Sequence, residues 1–258
     1  MLLLPLMGVL LTDFMSLESE AQTHLVLGEV HGIRGNVTTI ETTVVETAST
    51  RPVALALELP ADAQDVFDAY WSGPEERLST AQIQAMGWCA IEDGRVSVDL
   101  VDMLGALKTT ETAYPISVHL YVDETGFGGE FQTIASRSNY ASILRGVALR
   151  DLALTQDEAR VIASLGNFHA NRAISAYPEA IGGGETLRAG HILGDGFETV
   201  MLTYDAGQRV GCGLDGCGVI SIPGSGQSWS GFDRTHPIGA AEAVQPLSTS
   251  PYCADVDE

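Results

Sequence analysis

Lysine is almost missing from this chain. Lys108 is the only one in 258 residues, and Lys plus Arg reach 13 against 34 Asp plus Glu. The resulting formal charge of −21 repels polyanions, which excludes nucleic acid as a partner and disfavours an anionic membrane surface. No apolar run approaches the roughly 18 residues of a membrane-spanning helix. A Gly-x-Ser-x-Gly nucleophile elbow is absent, and Gly182-Gly183-Gly184 lacks the Lys-Ser/Thr of a phosphate-binding loop. The four cysteines, Cys89, Cys212, Cys217 and Cys253, do not form the two tight pairs of a structural zinc site.

An even cysteine count fits an oxidising compartment. Cys212 and Cys217 flank the turn-like Gly213–Gly216 segment, which a disulfide can close, and Cys89 with Cys253 would be the other pair. The apolar stretch Met1–Leu11, followed by Ser19-Glu20-Ala21, resembles a secretory signal over residues 1–21, although no Lys or Arg precedes the run. The expected location is periplasmic or secreted.

Five short apolar runs have strand character, at 25–27, 53–57, 118–122, 161–165 and 199–203. Helical spacing recurs between them. Val37, Ile40, Val44, Val45 and Ala48 form one such set, with Asn36 as its cap, and 96–110 another. Asp62 is the expected cap of the next helix, a short helix is expected at 79–86, another over 140–154 carrying Ile143, Leu144, Val147 and Leu152, and one near 186–193. Residues 124–139 read as a loop or lid. Strands alternating with helices predict an α/β fold, a mostly parallel sheet with helices on both faces. That domain covers 22–205, and 206–258 forms a small β-rich appendage of the same domain with a β-prone piece at 218–222.

In open parallel sheets, sites form beyond the C-terminal ends of the strands. The residues at those ends are Glu29 and His31, Glu58, Asp123, and Asn167 with His169. Two runs end in Gly-x-x-His, at Gly28–His31 and Gly166–His169, and look like two halves of one site. Imidazoles serve as general bases or metal ligands near neutral pH, and carboxylates orient them or bind a cation. A lone Gly-x-x-His is more often a structural turn. Glu58 is the sharper signal, because a carboxylate ending a fully apolar strand needs a partner. Arg95 and Arg150 stand beside loop or helix ends, as salt-bridge formers or as clamps for an oxyanion.

These residues resemble a known superfamily. Leu27-Gly28-Glu29-Val30-His31-Gly32, Ala56-Leu57-Glu58-Leu59-Pro60 and Leu165-Gly166-Asn167-Phe168-His169-Ala170 are similar to motifs of the group uniting erythromycin esterases, ChaN-like haem-binding lipoproteins and TraB/Tiki proteins. Asp93-Gly94-Arg95-x-Ser97 and Arg150-Asp151 also resemble parts of its bacterial members, and the likeness runs over residues 24–205. The resemblance implies a site of His31, Glu58 and His169 with Glu29 beside them. In the esterase branch such residues activate water against an ester or lactone. In the Tiki branch paired Gly-x-x-His motifs accompany metal-dependent peptide hydrolysis, and in the ChaN branch the related surface binds haem. The chain is shorter than the erythromycin esterases, so macrolides are not the expected substrate, and it has no lipobox cysteine near its start.

The leading expectation is a hydrolase acting on a small-molecule or peptide substrate. A divalent metal held by His31, Glu58 and His169 is one form of it. Arg95, Arg150, Asn167 and Asp123 would contact substrate or oxyanion. The alternatives are a haem- or iron-binding protein, with Tyr121 or Tyr204 as the iron ligand, and an inactive domain that binds partners.

Overall fold

The computed structural model describes residues 23–123, 131, 133–213, 216–226 and 230–253. The expected signal segment 1–21 and half of the expected lid, 124–130 and 132, lie outside the described residues. The fold class is as the sequence predicts. A six-stranded sheet contains β1 (His24–Glu29), β2 (Val53–Pro60), β3 (Ile116–Val122), β4 (Arg160–Gly166), β5 (Phe197–Asp205) and β8 (Arg234–Ala240). Every pairing within it is parallel, in the order β3-β2-β4-β1-β5-β8. A separate antiparallel hairpin joins β6 (Gly207–Gly213) to β7 (Gly216–Ile222).

The strand order decides where the site forms. β4 inserts between β1 and β2, so the ends carrying His31, Gly166 and Glu58 become neighbours. β2 is buried on both faces except at its last residue, as expected for a central parallel strand. Its alternation sorts the side chains. Val53, Leu55, Leu57 and Leu59 enter the core under α1 (Arg34–Ala48), α2 (Gln64–Ser72), α3 (Thr80–Ala85) and α4 (Val98–Thr109). Ala54 and Ala56 enter the opposite core, under α5 (Ile134–Thr155), α6 (Asn167–Ala170) and α7 (Ala189–Leu193). By the same period of two, Glu58 points to the α5 side.

Several local expectations shift, each for a visible reason. α1 begins at Arg34, not after Asn36, because the tail supplies its first partner: Arg34 N–H donates to Glu242 O at 2.8 Å. Asn36 lies within the helix, is buried, and donates to Val30 O at 2.7 Å, tying α1 to the His31 turn. Asp62 caps nothing; it sits in a 3-10 turn, and the helix starts at Gln64. α5 begins at Ile134 rather than 140, started by a reciprocal Thr133–Ser136 capping box. Its buried face is Ala135, Ala141, Ser142, Arg145, Gly146 and Leu149, whereas the expected face residue Val147 is exposed. Small residues face small residues here. The sheet offers Ala54, Ala56 and Ala163, and the helix answers with Ala, Ser and Gly. The helix near 186–193 shortens to Ala189–Leu193.

The tail is structural. β8 extends the main sheet, Leu247 enters the core, and short bridges pair Ile33 with Ala243 and Ser97 with Pro246. Both expected disulfides form, Cys212–Cys217 across the hairpin and Cys89–Cys253 across 164 residues of sequence. No free cysteine remains, and among the described residues no helix is long and apolar enough to cross a membrane. A Cys89→Ser/Cys253→Ser double variant should lose roughly 2–5 kcal/mol, since the closed loop is long. Denaturant titration of the oxidised proteins measures that loss, and equal midpoints would show the bridge to be energetically idle.

Candidate active site

Four elements converge at the C-terminal edge of the sheet. Glu29 ends β1 on the face of Leu25 and Leu27, and accepts from Ser164 Oγ at 2.7 Å. Glu58 lies near the end of β2 on the opposite face. It is 5% exposed and would be costly there alone. Three groups hold it: Arg145 Nε donates to Oε1 at 2.7 Å, the Gly166 N–H donates to Oε2 at 2.6 Å, and Arg95 Nη1 stands 4.0 Å from Oε1. His31 spans the edge between the two carboxylates. Its Nδ1 lies 3.3 Å from Glu29 Oε1 and its Nε2 lies 3.7 Å from Glu58 Oε2. Glycine at 166 leaves the room, because a Cβ there would sit 3.1 Å from His31 Nε2.

The His31 turn is clamped from outside the 24–205 stretch. Gly32 has φ +84°, and its carbonyl accepts from Val210 N at 3.0 Å and Val244 N at 3.1 Å. Arg209 Nη1 donates to His31 O at 3.3 Å. Gly94, also left-handed at φ +89°, packs against Gly32, where its own Cβ would lie 2.6 Å from the Gly32 Cα. The Asp93-Gly94-Arg95-x-Ser97 motif thus has a physical account. Gly94 permits the backbone contact, Asp93 fixes Arg95 through Nε at 2.9 Å, and Ser97 caps α4 by accepting from Leu100 N at 3.1 Å.

His169 follows β4 on the short α6. Its Nδ1 is 2.7 Å from Ser142 Oγ, and Ser142 is fully buried in α5. The electrostatics separate the two imidazoles. Burial works against a charged His31, but the hydrogen bond to Glu29 and the charges of Glu29 and Glu58 outweigh it, so its pKa is raised. Burial dominates at His169, and with the positive charges of Arg145 and His31 it overrides the pull of Glu58, bringing the pKa down to about 4. Burial alone would raise Glu58, but Arg145, His31, His169 and Arg95 hold it down at about 2. Near neutral pH the site therefore contains an anionic Glu58, a neutral His169, and a His31 whose affinity for a proton is raised by the two carboxylates.

The other expected residues fall outside this cluster. Arg150 is exposed and lines a recess with His24 and Phe197 at the opposite edge of the sheet; Arg145, five residues earlier, is the arginine that reaches Glu58. Asp123 is exposed at the end of β3, and Asn167 opens α6, half-buried. Arg145, Ser142, Ser164 and Arg209 carry site contacts that no motif marked. For Arg145 a signal existed: it lies at helical spacing with Ala141 and Leu149, on the stripe of α5 that proves buried.

The donor set does not suit a divalent metal. Both Glu58 oxygens already accept hydrogen bonds, two guanidinium groups lie within 4.0 Å of it, and among the described residues no three His, Cys, Asp or Glu are grouped to hold an ion. Tyr121 donates its hydroxyl to Ser164 O at 3.0 Å, which engages it within the core, and burial, with the Glu58 charge, pushes its pKa well above 10. Tyr204 lies on β5, on the far side of β1, and burial raises its pKa as well.

No family model matches the sequence, and no curated protein does. Solved structures do match. A Bacillus cereus protein aligns with TM-score 0.53 over 85% of this chain and 75% of its own, at 11% identity. An open-conformation mutant of the erythromycin esterase EreC aligns at 0.47, over 82% and 79%, with 9% identity. Haem-bound ChaN of Campylobacter jejuni aligns at 0.40, over 83% and 92%, with 10% identity. At these identities the likeness is one of fold.

Two outcomes follow from the geometry. A Cβ at position 32 would lie 2.0 Å from Val210 O, on a backbone that L side chains rarely adopt. Gly32→Ala should therefore cost about 2–4 kcal/mol in urea unfolding, combining backbone strain and a forced shift of the hairpin. The second concerns acid. His169 has its native pKa at about 4 against 6.5 unfolded, so between those values the unfolded chain binds the extra proton. Stability from this group is complete above pH 6.5 and falls as pH drops towards 4, by up to about 1.4 kcal/mol per pH unit. Unfolding curves of His169→Gln between pH 4.5 and 6.5 should show a shallower fall than wild type. An unchanged slope would refute the assignment.

Proposed function

We propose that this cluster hydrolyses an ester, lactone or amide with water as the nucleophile. The observation that carries the reading is His31 suspended between two carboxylates, Glu29 at 3.3 Å and Glu58 at 3.7 Å, beside a second imidazole that stays neutral. Glu29 accepts the Nδ1 proton and fixes the tautomer, which leaves Nε2 to take a proton from water. Glu58 does not compete for that proton, since its partners hold it anionic, and its charge stabilises the imidazolium as it forms. With Ser142 donating to Nδ1, His169 carries its proton on Nε2 and donates to the substrate carbonyl. Arg95 and Arg145 steady the developing oxyanion. Arg145 thereby takes the role that the sequence offered to Arg150.

The substrate is a small molecule or a peptide. Two disulfides and no free cysteine support a periplasmic or secreted location. Haem binding has less support, because the Tyr121 hydroxyl is engaged by Ser164 O and Tyr204 lies on β5, on the far side of β1 from Glu58.

A panel of nitrophenyl esters, lactones and amides tests the reaction. His31→Ala should lower kcat about 100-fold or more with KM little changed, as for loss of a general base. Full activity in that variant would end this mechanism.

A further inference from the structure

Beside the cluster opens a pocket of about 380 Å³ lined by Arg95, Ile134, Arg137, Ser138, Ala141, Arg145 and His169. Its composition runs against the rest of the chain. The protein carries 34 acidic residues, yet no described residue of this lining is one, and three of its 13 Lys and Arg residues are here. Residues 134, 137, 138, 141 and 145 form a single stripe on α5 at helical spacing. Arg145 and Arg95 are anchored by Glu58 and Asp93, so their charges are fixed in place rather than free to swing into solvent. Arg137 stands two turns earlier on the same stripe, exposed, with Ser138 beside it. The stripe begins in the first turn of a 22-residue helix, where the backbone dipole adds positive potential. Ile134, 66% exposed, gives the rim an apolar edge. The overall negative charge of the chain is screened over about 8 Å at physiological salt, so selection here is a short-range matter.

We infer that this pocket binds an anionic group, a carboxylate, phosphate or sulfate carried by the substrate next to the bond to be cut, with Arg137 as its principal contact. The substrate is then an anionic ester, lactone or amide whose apolar portion lies against Ile134. This inference rests on the hydrolytic reading for the word substrate, but the anion site itself can be tested without catalysis.

Calorimetric titration with succinate and with methyl phosphate, and with neutral succinamide as control, reads the site directly. The expected result is millimolar binding of one or both anions, none of succinamide, weakening with added salt, and a loss of about tenfold or more in Arg137→Gln. A preference for succinate or for methyl phosphate tells the carboxylate source from the phosphate one. Arg137 is exposed, and circular dichroism of the variant verifies its fold. In parallel, the kcat/KM ratio for mono(nitrophenyl) succinate over nitrophenyl butyrate should fall about tenfold in Arg137→Gln. Anion binding that is absent, or equal in wild type and variant, overturns the anion site even if both esters are cleaved. Arg137-dependent anion binding with no cleavage of any substrate refutes the hydrolase and leaves the anion site standing.

Discussion

The buried pair of Glu58 and Arg145 is the constraint around which the site is arranged. A carboxylate at the end of an apolar central strand survives only with partners, and removing one partner of such a pair typically costs about 3–5 kcal/mol. Here the partner arrives from α5 at 2.7 Å, and the Gly166 amide closes the other oxygen at 2.6 Å. The pair joins β2, β4 and α5 in one contact. It can do so because both surfaces are built from small side chains, Ala54, Ala56 and Ala163 on the sheet and Ala141, Ser142 and Gly146 on the helix. Larger residues on either side would hold the guanidinium away from the carboxylate. The same seating brings Ser142 to His169 and turns the Arg137–Arg145 stripe into a pocket wall.

His31 depends on a second constraint, two glycine backbones pressed together under the tail. Gly32 and Gly94 touch where no Cβ fits, and the Gly32 carbonyl is held by amides of Val210 and Val244. The tail is then covalently returned to the body by Cys89–Cys253. Residues 206–253 therefore complete the site as well as the sheet: they set the path of the turn on which the imidazole rides, and Arg209 holds its carbonyl. An oxidising compartment suits this arrangement, since the disulfide keeps the clamp in place.

Between these two constraints the site creates an asymmetry from equal parts. The two Gly-x-x-His turns look alike in sequence, yet one imidazole is flanked by carboxylates and the other by a serine hydroxyl and arginines. Their pKa values move in opposite directions: burial, helped by Arg145, prevails at His169, whereas the hydrogen bond and charge of Glu29, with Glu58, outweigh burial at His31. Divergent environments of this kind divide proton acceptance and hydrogen-bond donation between two residues of one type.

Much of this was legible in the chain itself. Apolar runs ended by Gly-x-x-His, by Glu58 and by Asp123 defined the strands and named the edge where His31, Glu58 and His169 gather, because side-chain period and strand polarity are local properties. The need of Glu58 for a partner was equally local, a matter of charge beside apolar neighbours. The identity of that partner was not. Arg145 and Arg150 are both arginines on one helix, and only the rotation of α5 against the sheet, set by small-residue packing, chose the first and sent the second to the far edge. The strand order that places β4 between β1 and β2, and the tail that pins Gly32, likewise depend on contacts between segments more than 100 residues apart. Sequence determined which groups could react; the long-range packing decided which of them meet, and with what charge.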